Sequence, residues 1–279
     1  MTHEEAFLQD IVEDRDDDTP RRIFADWLMD HDDPASQARG EFVHLQCDLA
    51  RHPAGVARPQ ASLRRERELL WAYGGDWGGG LKRFGCVCWE YRRGFVEGVG
   101  MSAAAFVAHA EELLGAAPVR DLKVYDAAGK LAALGQCTSL ASLRSIDLEK
   151  NDLGDLDVAD LARSPHLGGL ASLLLWNNRV SDAGLAALAA AELPALTRLD
   201  LSNNLVGDEG AVALAGSPMF GRLRVLDLTG NQIGDPGAGA LAESPGAATL
   251  TWLDLTKNPI GISQGLLRER LAGRVQVLG

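Results

Sequence analysis

Apolar positions in the C-terminal half of the chain recur in one phrase, LxxLxLxxN. It occurs as LRSIDLEKN, LASLLLWNN, LTRLDLSNN, LRVLDLTGN and LTWLDLTKN. The phrases end at Asn151, Asn178, Asn204, Asn231 and Asn258, spaced 27, 26, 27 and 27 residues apart. Self-similarity at such a period marks a stacked array of supersecondary units. Within a phrase the alternation is that of a short strand. Leu199 and Leu201, or Leu226 and Leu228, point into a core, and the residues between them point outward. Between phrases the pattern turns helical. VSDAGLAALAAAELP, VGDEGAVALAGSP and IGDPGAGALAESP each carry an early aspartate and an Ala/Leu stripe. This predicts one helix per repeat, with Asp182, Asp208 and Asp235 as N-caps and Pro236 at the first helical position. Each closing asparagine is expected to turn its amide inward and bond backbone groups of neighbouring loops.

Weaker copies precede the array. Val96, Val99 and Met101, then Val119, Leu122 and Val124, fit LxxLxL without the asparagine and frame the amphipathic stretch AAAFVAHAEELLG. Degenerate units suit the end of an open array, where the core has to be covered. Period-two alternation around Arg92-Arg93-Gly94 predicts a β-hairpin. Before residue 80 the spacing is helical. Residues 4–13 bring Ala6, Phe7, Ile11 and Val12 to one face. Thr19-Pro20 reads as N-cap and first position of a second helix bearing Ile23, Phe24, Trp27 and Leu28. A third helix spans 36–51, and a fourth spans about 61–73 and stops at Gly74-Gly75. The expected organisation is a small all-α module over 1–80 and a repeat array over 81–279. Within the array, 81–125 form a capping hairpin with degenerate repeats, and 126–279 hold five full repeats and a C-terminal cap.

The outward strand positions form three columns. The first runs Asp121, Ser145, Ser172, Arg198, Val225, Trp252; the second Lys123, Asp147, Leu174, Asp200, Asp227, Asp254; the third Tyr125, Glu149, Trp176, Ser202, Thr229, Thr256. Parallel strands lie about 4.8 Å apart. Asp200, Asp227 and Asp254 are therefore expected to stand as a carboxylate ladder in which at least one pKa rises. Two readings of that ladder stand side by side. It is either the ordinary outward residue of this repeat, solvated and bonded to neighbouring hydroxyls, or part of an acidic groove flanked by the exposed aromatics Tyr125, Trp176 and Trp252. Leu174 and Trp176 depart from the repeat consensus together, and aromatic residues on a polar face are the usual anchors of an interface.

Net charge sharpens this picture. The chain of 279 residues carries a formal charge of -12, which disfavours nucleic acid and anionic membranes as partners. Residues 1–33 hold 12 Asp/Glu against 3 Arg. No secretory signal pattern opens the sequence, and no apolar run has the length of a membrane span. Cys47, Cys86, Cys88 and Cys137 are expected as reduced thiols in a cytoplasmic protein. Cys86 and Cys88, taken as strand neighbours, should share a face, and with His44 and Cys47 they make a poor zinc set. Asp26, Glu41 and Arg22 are a candidate acid–base cluster; as a structural set they cap and bridge helices instead. Gly78-Gly79-Gly80 lacks the Lys-Ser/Thr of a phosphate loop, and neither H-E-x-x-H nor G-x-S-x-G occurs.

Two families are resembled. Phe7-Leu8, Asp17-Asp18 with Arg22, Ala25-Asp26-Trp27-Leu28 and Arg39-Gly40-Glu41-Phe42 resemble the repeat-companion domain of planctomycete and myxobacterial proteins, closely over the first 50 or so residues. That resemblance implies a bacterial protein in which leucine-rich repeats follow; it implies no biochemical activity. The 27-residue strand–helix period resembles the ribonuclease-inhibitor-like subclass of leucine-rich repeats. It implies an α/β fold: a right-handed leucine-rich-repeat solenoid with a parallel concave sheet and convex helices, preceded by the small all-α module. In that subclass the concave sheet binds protein.

The function expected from these readings is that of a non-enzymatic protein-interaction scaffold. Its partner-binding face comprises Tyr125, Asp147, Leu174, Trp176, Arg198, Asp200, Asp227, Trp252 and Asp254, with no cofactor and no metal. The partner would present basic and apolar groups. The alternatives are a regulator of a partner enzyme, inhibitory or GTPase-activating, and more remotely a metal-dependent hydrolase using the aspartate ladder.

Overall fold

A computed structural model describes residues 2–53, 55–270 and 275–276, which fall into two compact units: 1–101 with 108–120, and 102–107 with 121–279. The first unit contains helices α1 (His3–Glu13), α2 (Thr19–Met29), α3 (Pro34–Ala50) and α4 (Gln60–Gly79), followed by the antiparallel hairpin β1 (Cys88–Arg92) and β2 (Phe95–Ser102). The hairpin turns at Arg93 and Gly94, both with positive φ, as a tight two-residue turn requires. Helix α5 (Ala103–Ala116) follows.

Caps account for the helix starts. Thr2 accepts from the Glu5 amide at 3.2 Å, while the Glu5 carboxylate accepts from the Thr2 amide at 2.7 Å, a reciprocal pairing that satisfies two orphan donors. Asp33 accepts from the Ser36 amide at 2.9 Å, so α3 starts two residues before the predicted 36. Thr19 and Pro20 are the first two helical residues of α2, and Asp18 occupies the cap position. The larger departure is α4, which passes through Gly74-Gly75 to Gly79. Of the glycines in this last stretch, Gly78 serves close approach. The Tyr91 hydroxyl donates to the Gly74 carbonyl at 2.8 Å, and a Cβ on Gly78 would fall inside the Trp89 indole. A helix interior accepts glycine at a cost of about 1 kcal/mol.

The core of this unit is aromatic. Phe24 and Phe95, with Ile11, Leu28 and Val43, form one cluster against Phe7 and Trp27; Phe42 and Leu69 form another against Tyr73, Trp77 and Tyr91. Part of Arg39 reaches solvent. Its guanidinium nevertheless lies over the rings of Trp77 (4.7 Å), Phe95 (5.2 Å), Tyr91 (5.7 Å) and Phe42 (5.8 Å). Burial pushes its pKa down to about 10, and the ring faces hold the charge. Arg21 is fully buried and donates to Glu97 and to the Asp17 carbonyl, both at 2.9 Å. Glu97 also accepts from Arg93 at 3.0 Å, and Arg93 holds the Arg15 and Asp16 carbonyls. Burial raises the Glu97 pKa against the pull of both arginines.

In the second unit strands and helices alternate: β3 (Asp121–Tyr125), α6 (Leu131–Gly135), β4 (Ser145–Asp147), α7 (Asp155–Ala162), β5 (Ser172–Leu174), α8 (Asp182–Ala189), β6 (Arg198–Asp200), α9 (Asp208–Ala215), β7 (Val225–Asp227), α10 (Asp235–Glu243), β8 (Trp252–Asp254), α11 (Ser263–Arg270) and β9 (Val275–Gln276). From β3 to β9 each strand pairs in parallel with the next, and each helix from α6 to α11 neighbours the next. This is a leucine-rich-repeat solenoid. Its inner leucines, including Leu199, Leu201, Leu226 and Leu228, are fully buried.

Two ladders of polar side chains tie repeat to repeat. The first is made by the asparagines. The Asn204 amide donates to the Leu175 carbonyl of the preceding repeat (2.9 Å) and to Leu201 of its own (3.0 Å), and its oxygen accepts from the Val180 amide (2.9 Å). Asn178, Asn231 and Asn258 repeat the pattern, and Asn151 bonds Val124 and Ala127.

The second ladder corrects an expectation. Asp182, Asp208 and Asp235 are the first residues of their helices; Ser181, Gly207 and Gly234 hold the cap positions. Each carboxylate instead bonds toward the next repeat. Asp182 accepts from the amides of Gly207 (2.6 Å) and Gly210 (2.9 Å), and Asp208 from those of Gly234 (2.8 Å) and Gly237 (2.9 Å). Asp155 does the same for Ser181 and Gly184, and Asp235 for Gly261 and Ile262. Each repeat thus caps its successor, with the carboxylate at the positive end of that helix dipole. The close approach explains the third-position glycines. A Cβ on Gly184, Gly210 or Gly237 would stand 2.6–2.7 Å from the capping oxygen.

Candidate functional site

The solvent side of the parallel sheet carries the outward columns in register. Asp121, Ser145, Ser172, Arg198, Val225 and Trp252 pair across successive strands, as do Lys123, Asp147, Leu174, Asp200, Asp227 and Asp254. Period-two alternation therefore places these residues on adjacent rungs.

The two halves of the face differ in how their charges are met. Over β3–β5 the face is internally paired. The Lys123 ammonium bridges Asp147 (3.2 Å) and Glu149, and Glu149 also accepts from the Trp176 indole N–H. Burial acts to raise the Glu149 pKa, but the bonds from Lys123 and Trp176 outweigh it and hold the carboxyl below its ordinary value. Lys150 sits over the Trp176 ring, its ammonium 4.4 Å from the centroid. Tyr125 is exposed, with the Lys123 ammonium 5.9 Å from its ring. Leu174 is half-buried between Asp147 and Asp200.

Over β6–β8 the carboxylates lack such partners. Each turns one oxygen back onto its own strand end: Asp200 accepts from the Ser202 amide (3.0 Å) and hydroxyl (2.6 Å), Asp227 from the Thr229 amide (2.9 Å), and Asp254 from the Thr256 amide (2.8 Å). Among the described residues no ion pair reaches Asp200, Asp227 or Asp254. Asp227, the middle rung, is half-buried and its pKa is raised, by burial first and then by Asp200 and Asp254. Both readings of the ladder are thus present in part: the backbone and hydroxyl bonds exist, and so does the mutual repulsion. Arg198 is exposed two residues before Asp200 on β6, and Trp252 is half-buried beside Val225.

Two features escaped the alternation pattern. Lys150 lies beyond the strand, so no column includes it. Trp176 and Trp252 are half-buried, and Trp176 is held on its edge by Glu149 and on its face by Lys150. The Lys123–Glu149 pairing was legible in principle, since the two occupy neighbouring columns on adjacent strands.

The candidate chemistry elsewhere separates into structural pairs. Asp26 bonds His44 (2.8 Å), Glu41 bonds Arg65 (2.7 Å) and Arg22 bonds Asp48 (2.6 Å), so the three form no common cluster. Cys86 is buried and Cys88 exposed, contrary to the shared face expected of them, because β1 begins only at Cys88. Burial pushes the Cys47 and Cys86 thiols up to about 11, which keeps them protonated and poor as ligands. None of the four cysteines is joined in a disulfide. Among the described residues no group of three or more His, Cys, Asp or Glu is placed to hold a metal ion, and no helix is long and apolar enough to cross a membrane.

The family model described as Leucine Rich repeat matches residues 139–162, 193–215 and 223–242. No curated protein matches the chain. Among solved structures it is similar to an internalin, InlF, of Listeria monocytogenes, at 24% identity and a TM-score of 0.40, over 57% of this chain and 47% of that one. It is also similar to InlP of Listeria monocytogenes, at 15% identity and a TM-score of 0.37, over 65% of this chain and 60% of that one. The chain spans less than two thirds of the length of either structure.

Proposed function

We propose that this chain is a non-enzymatic scaffold that binds a protein partner on the solvent face of strands β3–β8, the concave face of a ribonuclease-inhibitor-like solenoid. The observation that carries the reading is the contrast within that face. Lys123 neutralises Asp147 and Glu149, whereas Asp200, Asp227 and Asp254 stand in register with no ion pair among the described residues. Carboxylates about 4.8 Å apart repel, and a partner that brings lysine or arginine removes that cost. Tyr125, Leu174, Trp176 and Trp252 supply apolar and aromatic area around the acidic rungs, which is the composition of an interface centre. A net charge of -12 fits a basic protein surface better than nucleic acid or an anionic membrane.

The test is capture of partners from native lysate by the wild-type chain and by a Trp176→Ala/Asp200→Lys double variant. The double variant is expected to lose the captured partner while its circular dichroism is unchanged. Retention of every partner would overturn the assignment of this face. Adding the chain in catalytic amount to the captured partner separates passive scaffold from enzyme regulator, since only a regulator changes turnover.

A further inference from the structure

The residue before each closing asparagine is left-handed in every repeat: Lys150 (φ 53°), Asn177 (55°), Asn203 (52°), Gly230 (66°) and Lys257 (57°). Asparagine and glycine tolerate this conformation; a longer side chain carries a penalty there. Lys150 accepts that penalty and lays its ammonium 4.4 Å from the centre of the Trp176 ring. Next to it, Glu149 is already engaged by the Trp176 indole and by Lys123. The ring face, with a carboxylate at its edge, is therefore a seat for a cation, occupied by a residue whose backbone favours another residue type. Lys257 holds the same backbone conformation in another repeat, so what distinguishes Lys150 is the ring beneath its ammonium.

We infer that Lys150 is a placeholder on Trp176, displaced when an arginine or lysine side chain of a protein partner takes the same ring face. This rests on the proposed binding face and specifies how the partner engages it. Charge complementarity supports a cationic occupant. The three columns hold Asp121, Asp147, Glu149, Asp200, Asp227 and Asp254 against Lys123 and Arg198. Arginine suits the seat best, because a planar guanidinium stacks on the indole while its edge remains free for Asp147 or Glu149. The inference predicts an inverted mutational response: removing Lys150, a surface residue of the binding face, strengthens cation binding.

The experiment titrates the full chain, with nitrogen-labelled tryptophan indoles, with the peptide acetyl-Gly-Arg-Gly-Arg-Gly-amide and with its neutral citrulline counterpart. The Trp176 resonance is assigned by its loss in Trp176→Leu, and the remaining indoles report folding. Lys150→Asn installs the residue that two other repeats carry at this position, Asn177 and Asn203, so the fold is preserved. The arginine peptide should shift the Trp176 signal, and Lys150→Asn should tighten its binding roughly two- to five-fold. The citrulline peptide should leave that signal in place. Equal or weaker binding of the arginine peptide by Lys150→Asn, or equal binding of citrulline, overturns the placeholder. Partner capture that depends on Trp176 and Asp200 but not on Lys150 would leave the proposed face standing and remove only this inference.

Discussion

At the residue scale, the aspartates of this chain do two different jobs that local sequence rules do not separate. Asp182, Asp208 and Asp235 look like N-caps because each stands at a helix start beside an Ala/Leu stripe. Helix-start rules refer to one chain segment, whereas these carboxylates serve the helix one repeat later. Asp208→Ala should orphan the amides of Gly234 and Gly237 and cost about 1–2 kcal/mol in urea unfolding. Asp208→Asn keeps an acceptor oxygen and should recover much of that loss; equal stability of all three chains would contradict capping in trans. The outward aspartates behave oppositely. Asp227 has a raised pKa in the fold, so the folded state binds more protons than the unfolded chain between the unfolded and folded values. Stability contributed by this group is therefore present at low pH and lost as pH rises through the folded pKa. Asp227→Asn should raise the melting temperature at neutral pH and flatten this acid-side gain; a lower melting temperature would show that the ladder does not repel.

At the element scale, strands and the period of the array follow directly from LxxLxLxxN, because alternation and burial are local properties of the phrase. What the sequence leaves hidden is contact between elements. Gly74-Gly75 reads as a helix stop, yet α4 continues to Gly79, where Gly78 leaves the room that the Trp89 indole occupies. The third-position glycines of α8, α9 and α10 have the same origin. Gly210→Ala puts a methyl 2.7 Å from the Asp182 oxygen and should destabilise by roughly 1–3 kcal/mol. Gly115→Ala, at an exposed helical position with nothing within 4 Å, should instead be neutral or stabilise by up to about 1 kcal/mol. Similar effects of the two substitutions in thermal unfolding would remove the close-approach explanation.

At the scale of the whole molecule, regular positions build the solenoid, and the proposed recognition chemistry lies at the departures from regularity. The columns of the outward face were legible because parallel pairing in register converts sequence period into spatial adjacency. The hold of Glu149 on Trp176 and the position of Lys150 were not, because they depend on rotamers across neighbouring strands. Electrostatic recognition by such a face weakens as salt screens it. The most direct measurement is hydrogen exchange of the captured complex against the free chain. Protection on partner binding should concentrate at 121–125, 145–150, 172–176, 198–202, 225–229 and 252–256, with the helices unchanged. Protection confined to the helices α7–α10, with these strand segments exchanging as in the free chain, would contradict the central claim.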